Sequence, residues 1–273
     1  MITRTLDLDR PSDARVHDYM LGGGSNFAAD RALARRILAK APYARLEALA
    51  ARNCLRRMMR TCLDQGIRQF LDLGSGIPIA GSPHEIAAAA DPAARVVYVD
   101  NEQIAATQGK LLLTGSETAA MVHADVRDPE SVLAAEETRR LLDFDQPVAV
   151  LMLGVLHQFG GHHQPAEVIR HYTDALAPGS LLALSHFTDE FAPTPAHDIL
   201  TVLPDCSAPA MRDRATVLSF LGDAEPLEPG AVPVADWRPE PGDADLRTPE
   251  PLSFALLART AATPPPHPNS SGI

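Results

Sequence analysis

The sequence predicts a doubly wound, mostly parallel α/β sheet with an N-terminal helical cap. Three observations carry this. From residue 67 onward, short apolar runs alternate with segments of helical spacing, the pattern of strands laid parallel by helical crossovers. The first such run, FLDLGSG (70–76), ends in glycines where a strand would turn into a helix. Before residue 67 only helical spacing occurs.

Residues 1–12 read as a flexible leader. Asp13 is placed to cap a helix from Ala14 to Gly22, and Asn26 to cap a second that reaches Lys40. Between Tyr43 and Gln65, apolar residues at 46, 49, 55, 58, 59, 62 and 63 follow a third helix, which Gly66 stops. This divides the chain into a cap over 1–66, a sheet domain over 67–262 and a tail over 263–273 too poor in apolar residues to fold. Strands are expected in IRQFLDLGSG (67–76), ARVVYVDNE (94–102), AAMVHADVRDPE (119–130), QPVAVLMLGVLHQF (146–159) and LLALSHFT (181–188). The helices between them span 82–91, 103–113, 130–141 and 165–180. Residues 190–230 read as irregular, with one helix near 209–221. VPVADWRPE and SFALLARTA add two late strands as a hairpin-like pair.

Composition excludes some functions. Acidic residues outnumber basic ones 35 to 24, a net charge of −11, which argues against a broad basic surface for nucleic acid. The three cysteines, Cys54, Cys62 and Cys206, lack CxxC spacing and suggest neither a disulfide framework nor a zinc site. They fit a reduced, cytoplasmic setting. The first residues are too polar for a signal peptide, and no apolar run reaches the roughly 18 residues of a membrane span. Without a secretory signal, the sequon at Asn269 has no expected role.

The chemistry concentrates at strand ends. Gly74 and Gly76 let backbone pass close to a ligand where a Cβ would collide. The third position of a dinucleotide fingerprint is Ile79, and no GK[ST] follows, so a phosphate cradle is not indicated. Asp72 precedes the glycines, Asp100 ends the second strand 28 residues later, and Asp125 ends the third. An acid at the second strand can accept from both ribose hydroxyls, and one at the third can face an adenine amino group. Asp72 would repel a pyrophosphate and attract an ammonium. Each aspartate alone is equally a turn or capping residue; together they form a set on one edge of the sheet.

FLDLGSG, VVYVDNE, HADVRD, VLHQF and LAPGSLLALSH, in this order, resemble the successive motifs of class I S-adenosylmethionine-dependent methyltransferases. With ARVHDYMLGGGSNFAADR at the front, the chain resembles one family of these, whose members open on a Tyr-Asp-Tyr-Leu-Leu-Gly-Gly-like segment. Here His17 stands where Tyr is usual and Gly24 where Lys is common. The resemblance spans about residues 10–260 and implies S-adenosylmethionine as cofactor and a small-molecule acceptor, with no nucleic-acid or membrane partner. It implies cofactor contacts from Tyr19, Gly23, Asn26, Asp72, Gly74, Ser75, Gly76, Asp100, Asn101, Asp125, Val126 and Gly154. It also implies that the N-terminal helices fold over the cofactor mouth, with Gly22–Gly24 as the bend that brings backbone to the ligand. The other reading of the glycines is a linker, which the flanking Tyr19 and Phe27 disfavour. Arg52 and Asn53 face the cleft in this reading.

His157, after the fourth strand, is the candidate general base; His186 is a second histidine near the mouth. A histidine merely hydrogen-bonded at a strand end explains either as well. A metal on His157, His162 and His163 lacks an acidic ligand and a spacing that fixes geometry, so no metal is expected. Two other functions use the same fold: a nicotinamide-dependent oxidoreductase, and a regulator that binds S-adenosylmethionine without turnover.

Overall fold

The computed structural model describes residues 8–78, 81–160, 163–204 and 209–261. The expected tail over 263–273, the ligand candidate His162 and Cys206 lie outside the described residues.

Helices α1 (Asp13–Met20), α2 (Ala28–Lys40) and α3 (Ala44–Asp64) come first. Strands β1 (Gln69–Leu73), β2 (Arg95–Asp100), β3 (Ala119–His123), β4 (Ala149–Leu153) and β5 (Leu181–Phe187) follow, each parallel to its neighbour. Between them run α4 (Pro83–Ala90), α5 (Gln103–Leu112), α6 (Pro129–Ala134), α7 (Glu136–Leu141) and α8 (Pro165–Asp174). Beyond β5 lie α9 (Pro193–Leu200), α10 (Arg214–Ser219), two-residue strands β6 (Glu225–Pro226) and β7 (Val232–Pro233), and β8 (Ser253–Arg259). The sheet order is β3-β2-β1-β4-β5-β8-β6, with β7 also on β8. The order reverses between β1 and β4, and at such a switch point a crevice opens beyond the C-terminal strand ends.

Every residue of β1 is buried, because helices cover both faces. Alternate residues serve different cores. Phe70, Tyr98 and Leu151 pack with Met58, Met59 and Trp237 on one face. Leu71, Val99 and Met152 pack with Val132, Ile169 and Tyr172 on the other. Helix α3 packs on the sheet through Met58 and Met59 and on the helices before it through Ala48. Helices α1 and α2 form a separate cluster with α9, in which Met20, Leu33, Ile37, Ala196 and Ile199 meet.

The helix ends show why these segments stop where they do. Gly66 has φ +88°; its amide donates to Leu63 O and that of Ile67 to Cys62 O, a Schellman closure of α3. Two expected caps are displaced. Helix α1 begins at Asp13 itself, after Ser12, and α2 begins two residues past Asn26. There the Asp30 carboxylate accepts the Phe27 amide at 2.8 Å. The end of the expected leader is tied down, since Ser12 N donates to Asp30 and Arg10 O accepts from Arg15.

Four expectations are corrected downstream. The helix expected over 130–141 breaks at Ala135, whose ψ of 142° is extended; nothing in the sequence marks the break. Helix α9 lies in the segment read as irregular. Its Pro193 and Pro195 occupy the first turn, where an amide hydrogen is not needed. The late strands pair antiparallel as expected, but over two residues only. Strand β8 runs antiparallel to β5 over seven paired residues, and VPVADWRPE contributes only Val232–Pro233. Asp125 lies two residues past the end of β3.

The segment after β7 is held to α3 by a buried ion pair. Arg57 donates to Asp243 Oδ2 (2.5 Å), Trp237 O (2.8 Å) and Val234 O (2.7 Å), and both charged side chains are only 3% exposed. Replacing Arg57 by Met strands two carbonyls in the interior and leaves the Asp243 carboxylate to Glu240 N and the longer contacts of Asn53 and Arg56. Urea denaturation is expected to show a loss of about 3–5 kcal/mol; a loss under about 1 kcal/mol would show that the pair does not hold this segment.

Candidate active site

The crevice is built from the end of β1. Gly74 (φ +75°) and Gly76 (φ +65°) turn the chain, and the amides of Gly74 and Ser75 both donate to Val99 O, at 2.8 and 3.1 Å. The two glycines are needed for different reasons. A Cβ on Gly74 would sit 2.5 Å from Val155 Cγ2, so Gly74 permits the loops after β1 and β4 to touch. A Cβ on Gly76 would meet nothing within 4 Å. Gly154 (φ +74°), at the end of β4, also faces open space, while its amide is fixed on Ser185 Oγ at 2.8 Å. Room for a ligand therefore lies along Gly76 and Gly154.

Asp100 anchors this loop. Its Oδ2 accepts Gly76 N (2.7 Å) and its Oδ1 accepts Glu102 N (2.8 Å). Each carboxylate oxygen can accept twice, so one lone pair on each remains for a pair of hydroxyls. Burial raises the Asp100 pKa, and the two amides oppose that rise.

Asp72 lies one strand away, on the same face of the sheet as Tyr98, its register partner. Burial pushes its pKa up to about 7; neighbouring Asp100 adds to the rise and Arg52 of α3 counters it. The third acid differs. Asp125 is 36% exposed and clamped by Arg127, whose Nε meets Oδ1 at 2.8 Å and whose Nη2 meets Oδ2 at 2.5 Å. Those bonds hold its pKa below the ordinary range, and the Asn101 side chain also bonds to it. The three acids thus occupy one edge of the sheet, two of them buried together and one as an ion pair at the rim. Val126 is buried, and its carbonyl accepts the Tyr172 hydroxyl at 2.9 Å. Among the described residues no acceptor meets its amide.

His157 sits in a 3₁₀ turn (Leu156–Gln158) beyond β4. Its ring stands edge-on to His186, 6.0 Å between centroids, and lies 6.1 Å from Phe187. Its Nδ1 is buried without a hydrogen-bond partner among the described residues. His186, by contrast, is fully engaged. Its Nδ1 lies 2.6 Å from Phe187 O and must donate, which leaves Nε2 to accept from Arg212 Nη1 at 3.2 Å. Burial, joined by the charges of His186, His17 and Arg212, lowers the His157 pKa to about 3. Those neighbours are all basic, so the environment opposes the imidazolium that a general base must become.

The triple glycine is a folded knot. Gly22 has φ +83°, Gly23 N donates to Asp18 O (2.8 Å), and a Cβ on Gly23 would fall 2.0 Å from Asp18 Oδ1. Asp18 Oδ2 accepts Ser25 N and Asn26 Nδ2, both at 2.8 Å, and Asn26 also binds Gly23 O and Arg31. Glycine at 23 is thus required by Asp18, and the Asn26 amide group is spent within the knot. Tyr19 is half-buried beside the α1–α2–α9 cluster.

Helix α1 brings His17 within electrostatic reach of Arg52 and His157. His17 is open to solvent, yet enough protein surrounds it to lower its pKa, and the charge of Arg52 lowers it further. Asp13 is likewise exposed, with a pKa pushed up to about 6 by surrounding protein. A buried guanidinium fixes the helix there. Arg15 Nε pairs with Asp30 Oδ2 (2.9 Å) and Nη1 with Glu102 Oε1 (2.8 Å). Sequence reasoning missed Arg15, Asp18, Glu102, Val155 and Arg127. Arg15 and Glu102 are 87 positions apart, and no local pattern links them.

With β8 running against β5 and a carboxylate rather than a phosphate cradle at the switch point, the fold is that of class I S-adenosylmethionine-dependent methyltransferases. The chain belongs to the S-adenosyl methyltransferase family, whose profile matches residues 1–261. It is accordingly a methyltransferase with S-adenosylmethionine as cofactor. It is 38% identical to a candidate methyltransferase from Thermobifida fusca YX, with a TM-score of 0.88 over 96% of this chain and 100% of that one. A DUF574 family protein from Streptomyces avermitilis is 33% identical, with a TM-score of 0.88 over 93% of this chain and 100% of that one. A Burkholderia thailandensis 1,6-didemethyltoxoflavin-N1-methyltransferase, solved with 1,6-didemethyltoxoflavin and S-adenosylhomocysteine, shares the fold at 15% identity (TM-score 0.51, 78% of each chain). No curated protein matches. Nothing in these matches favours the oxidoreductase or the regulator.

The Asp72 pKa, about 7 against an ordinary 3.8, makes stability depend on pH. Between those values the folded state holds a proton that the unfolded chain has lost, so stability falls as pH rises through this window. Asp72→Asn removes the titration. Relative to this variant, the unliganded wild type should lose on the order of 2 kcal/mol between pH 5 and pH 8, read as several degrees of Tm. A difference constant across that range would place Asp72 in contact with water.

Proposed function

We propose that the protein transfers the methyl group of S-adenosylmethionine to a small molecule that enters beside His157, beneath α1. The observation that carries this is the pairing of Asp100 with the Gly76 amide next to open space at Gly76 and Gly154. When bound, the cofactor supplies a methyl on a positively charged sulfur, already activated for in-line displacement. The remaining lone pairs of Asp100 suit the two ribose hydroxyls. The Val126 amide and the Asp125–Asn101 rim suit the adenine edge, and the walls are the backbone of Gly74, Ser75, Gly76 and Gly154.

Asp72, once ionised, takes the ammonium of the amino-acid end. Tyr19, Gly23 and Asn26 close that end from above, with Asn26 acting through the shape of its knot. The work left to the protein is to hold the acceptor in line and to exclude water, which supplies about 7–11 kcal/mol in well-oriented reactions. His157, neutral across the physiological range, lines the entry of the acceptor and leaves the proton on it. A small acceptor is favoured over a polynucleotide because the net charge is −11 and many arginines, such as Arg56, Arg57, Arg60, Arg127 and Arg214, are already paired with acids. Two buried free thiols, Cys54 and Cys62, suit the reducing cytoplasm. Among the described residues no helix is long and apolar enough to cross a membrane.

Calorimetry with S-adenosylmethionine, S-adenosylhomocysteine and NAD tests the cofactor site. Both sulfur ligands should bind, and NAD should not. Asp100→Ala should weaken both at least tenfold, in line with about 1.5–3 kcal/mol for hydrogen bonds to a charged group. Unchanged affinity would move the ribose away from the end of β2.

A further inference from the structure

A cation without an anion stands beside His157. Arg212 lies two residues before α10 and is half-buried. Its Nη2 donates to Phe159 O at 2.5 Å. Its Nη1 donates to Leu156 O at 3.3 Å and to His186 Nε2 at 3.2 Å. Ala210 N adds a bond to His157 O at 2.7 Å. Residues 210–212 thus grip three carbonyls of the turn beyond β4 and reach across to β5.

This strap accounts for the backbone but not for the charge. Two carbonyls and an imidazole are dipoles, and a neutral N–H donor would serve them. Among the described residues no carboxylate pairs with Arg212, in a chain with 35 acidic residues against 24 basic ones. Arg214, two positions on, shows the ordinary arrangement, with Nη2 on Glu190 Oε1 at 2.7 Å. The Arg212 guanidinium instead lies over the Phe220 ring, 5.7 Å from its centroid. Around it stand rings and no acids: His186 stacks on Phe254 at 6.0 Å, and His157 stands 6.0 Å from His186 and 6.1 Å from Phe187. Burial works against the Arg212 charge, and no acid offsets that. The positive potential at this edge of the sheet is left for a ligand to match.

We propose that the methyl acceptor is an organic acid, bound with its carboxylate on Arg212 and its carbon frame along His157 and Phe187. The inference rests on the reading of this crevice as the methyl-transfer site. Arginine has five N–H donors, and the contacts above use at most three, so donors remain for a ligand. Its planar fork matches a carboxylate better than a lysine ammonium does. The rings of His157 and Phe187 offer flat apolar surface beside it, which suits an aromatic acid.

The test uses benzoate and its uncharged isostere benzamide, titrated by ligand-observed NMR against protein saturated with S-adenosylhomocysteine. Benzoate should bind about fivefold or more tighter than benzamide, as a charge-assisted contact requires. Arg212→Gln should bring benzoate down to the level of benzamide and leave S-adenosylhomocysteine within about twofold. Arg212→Lys should keep part of the preference. Equal binding of the two probes to wild type, no binding of benzoate, or a preference that survives in Arg212→Gln would overturn the proposal. So would competition between benzoate and S-adenosylhomocysteine, because the cation would then serve the cofactor. If Arg212→Gln does not fold, the wild type decides: benzoate must shift the His186 imidazole nitrogen signals and benzamide must not, and unmoved signals overturn the assignment. Failure of the wild type to bind S-adenosylhomocysteine would overturn the reading of the crevice, and this proposal with it.

Discussion

A single carboxylate organises this molecule. Asp100 holds the glycine turn through Gly76 N and the start of the next helix through Glu102 N. Glu102 caps that helix by accepting Ala105 N at 2.7 Å and also binds Arg15, whose other partner, Asp30, starts α2. One chain of charge-assisted bonds thus runs from the glycine turn to helices α1 and α2. Such bonds are roughly twice as strong as neutral ones, and here the polar groups they join are largely buried. The cap and the sheet are therefore not independently placed bodies. Moving Asp100 displaces the turn, the helix after β2 and the seat of Arg15 together.

Around that chain the crevice is deliberately uncomfortable. Asp72 is buried next to a second acid, and the His157 imidazole has only basic neighbours and an unmet Nδ1. Positive-φ residues cluster at the same edge, at Gly74, Gly76 and Gly154. Groups that cost stability without a ligand are those that gain most when one arrives. The hydrophobic cores on either side of the sheet are, by contrast, densely apolar and carry the fold. The division is physical: the sheet carries the fold, and the crevice keeps a buried acid and an unpartnered imidazole nitrogen.

The alternation of strands and helices was legible because a parallel strand buried on both faces must be a continuous apolar run, and β1 to β5 all are. Asp72, Asp100, Gly74 and Gly76 could be placed because they follow such runs directly. The reasons for individual glycines could not be read. Gly74 answers to Val155 and Gly23 to Asp18, contacts set by tertiary approach. Arg15 carries no local signal either, since its carboxylate partners come from α2 and from the end of β2. Helix α9 was hidden because its two prolines read as breakers, although in a first turn they break nothing. His157 was found by position, but its basic surroundings come from α1, β5 and the segment before α10, which no spacing along the chain reveals.

The order in which the sheet can be completed follows from its last strand. Among the described residues, strands β6 and β7 have no strand partner but β8, and β8 pairs along β5. As the polypeptide leaves the ribosome, the segments destined for that border emerge well before the ribbon that will receive them. The flank of β5 must therefore wait, unpaired, until residues 253–259 have emerged, and a chaperone that shields a nascent edge would have a task there.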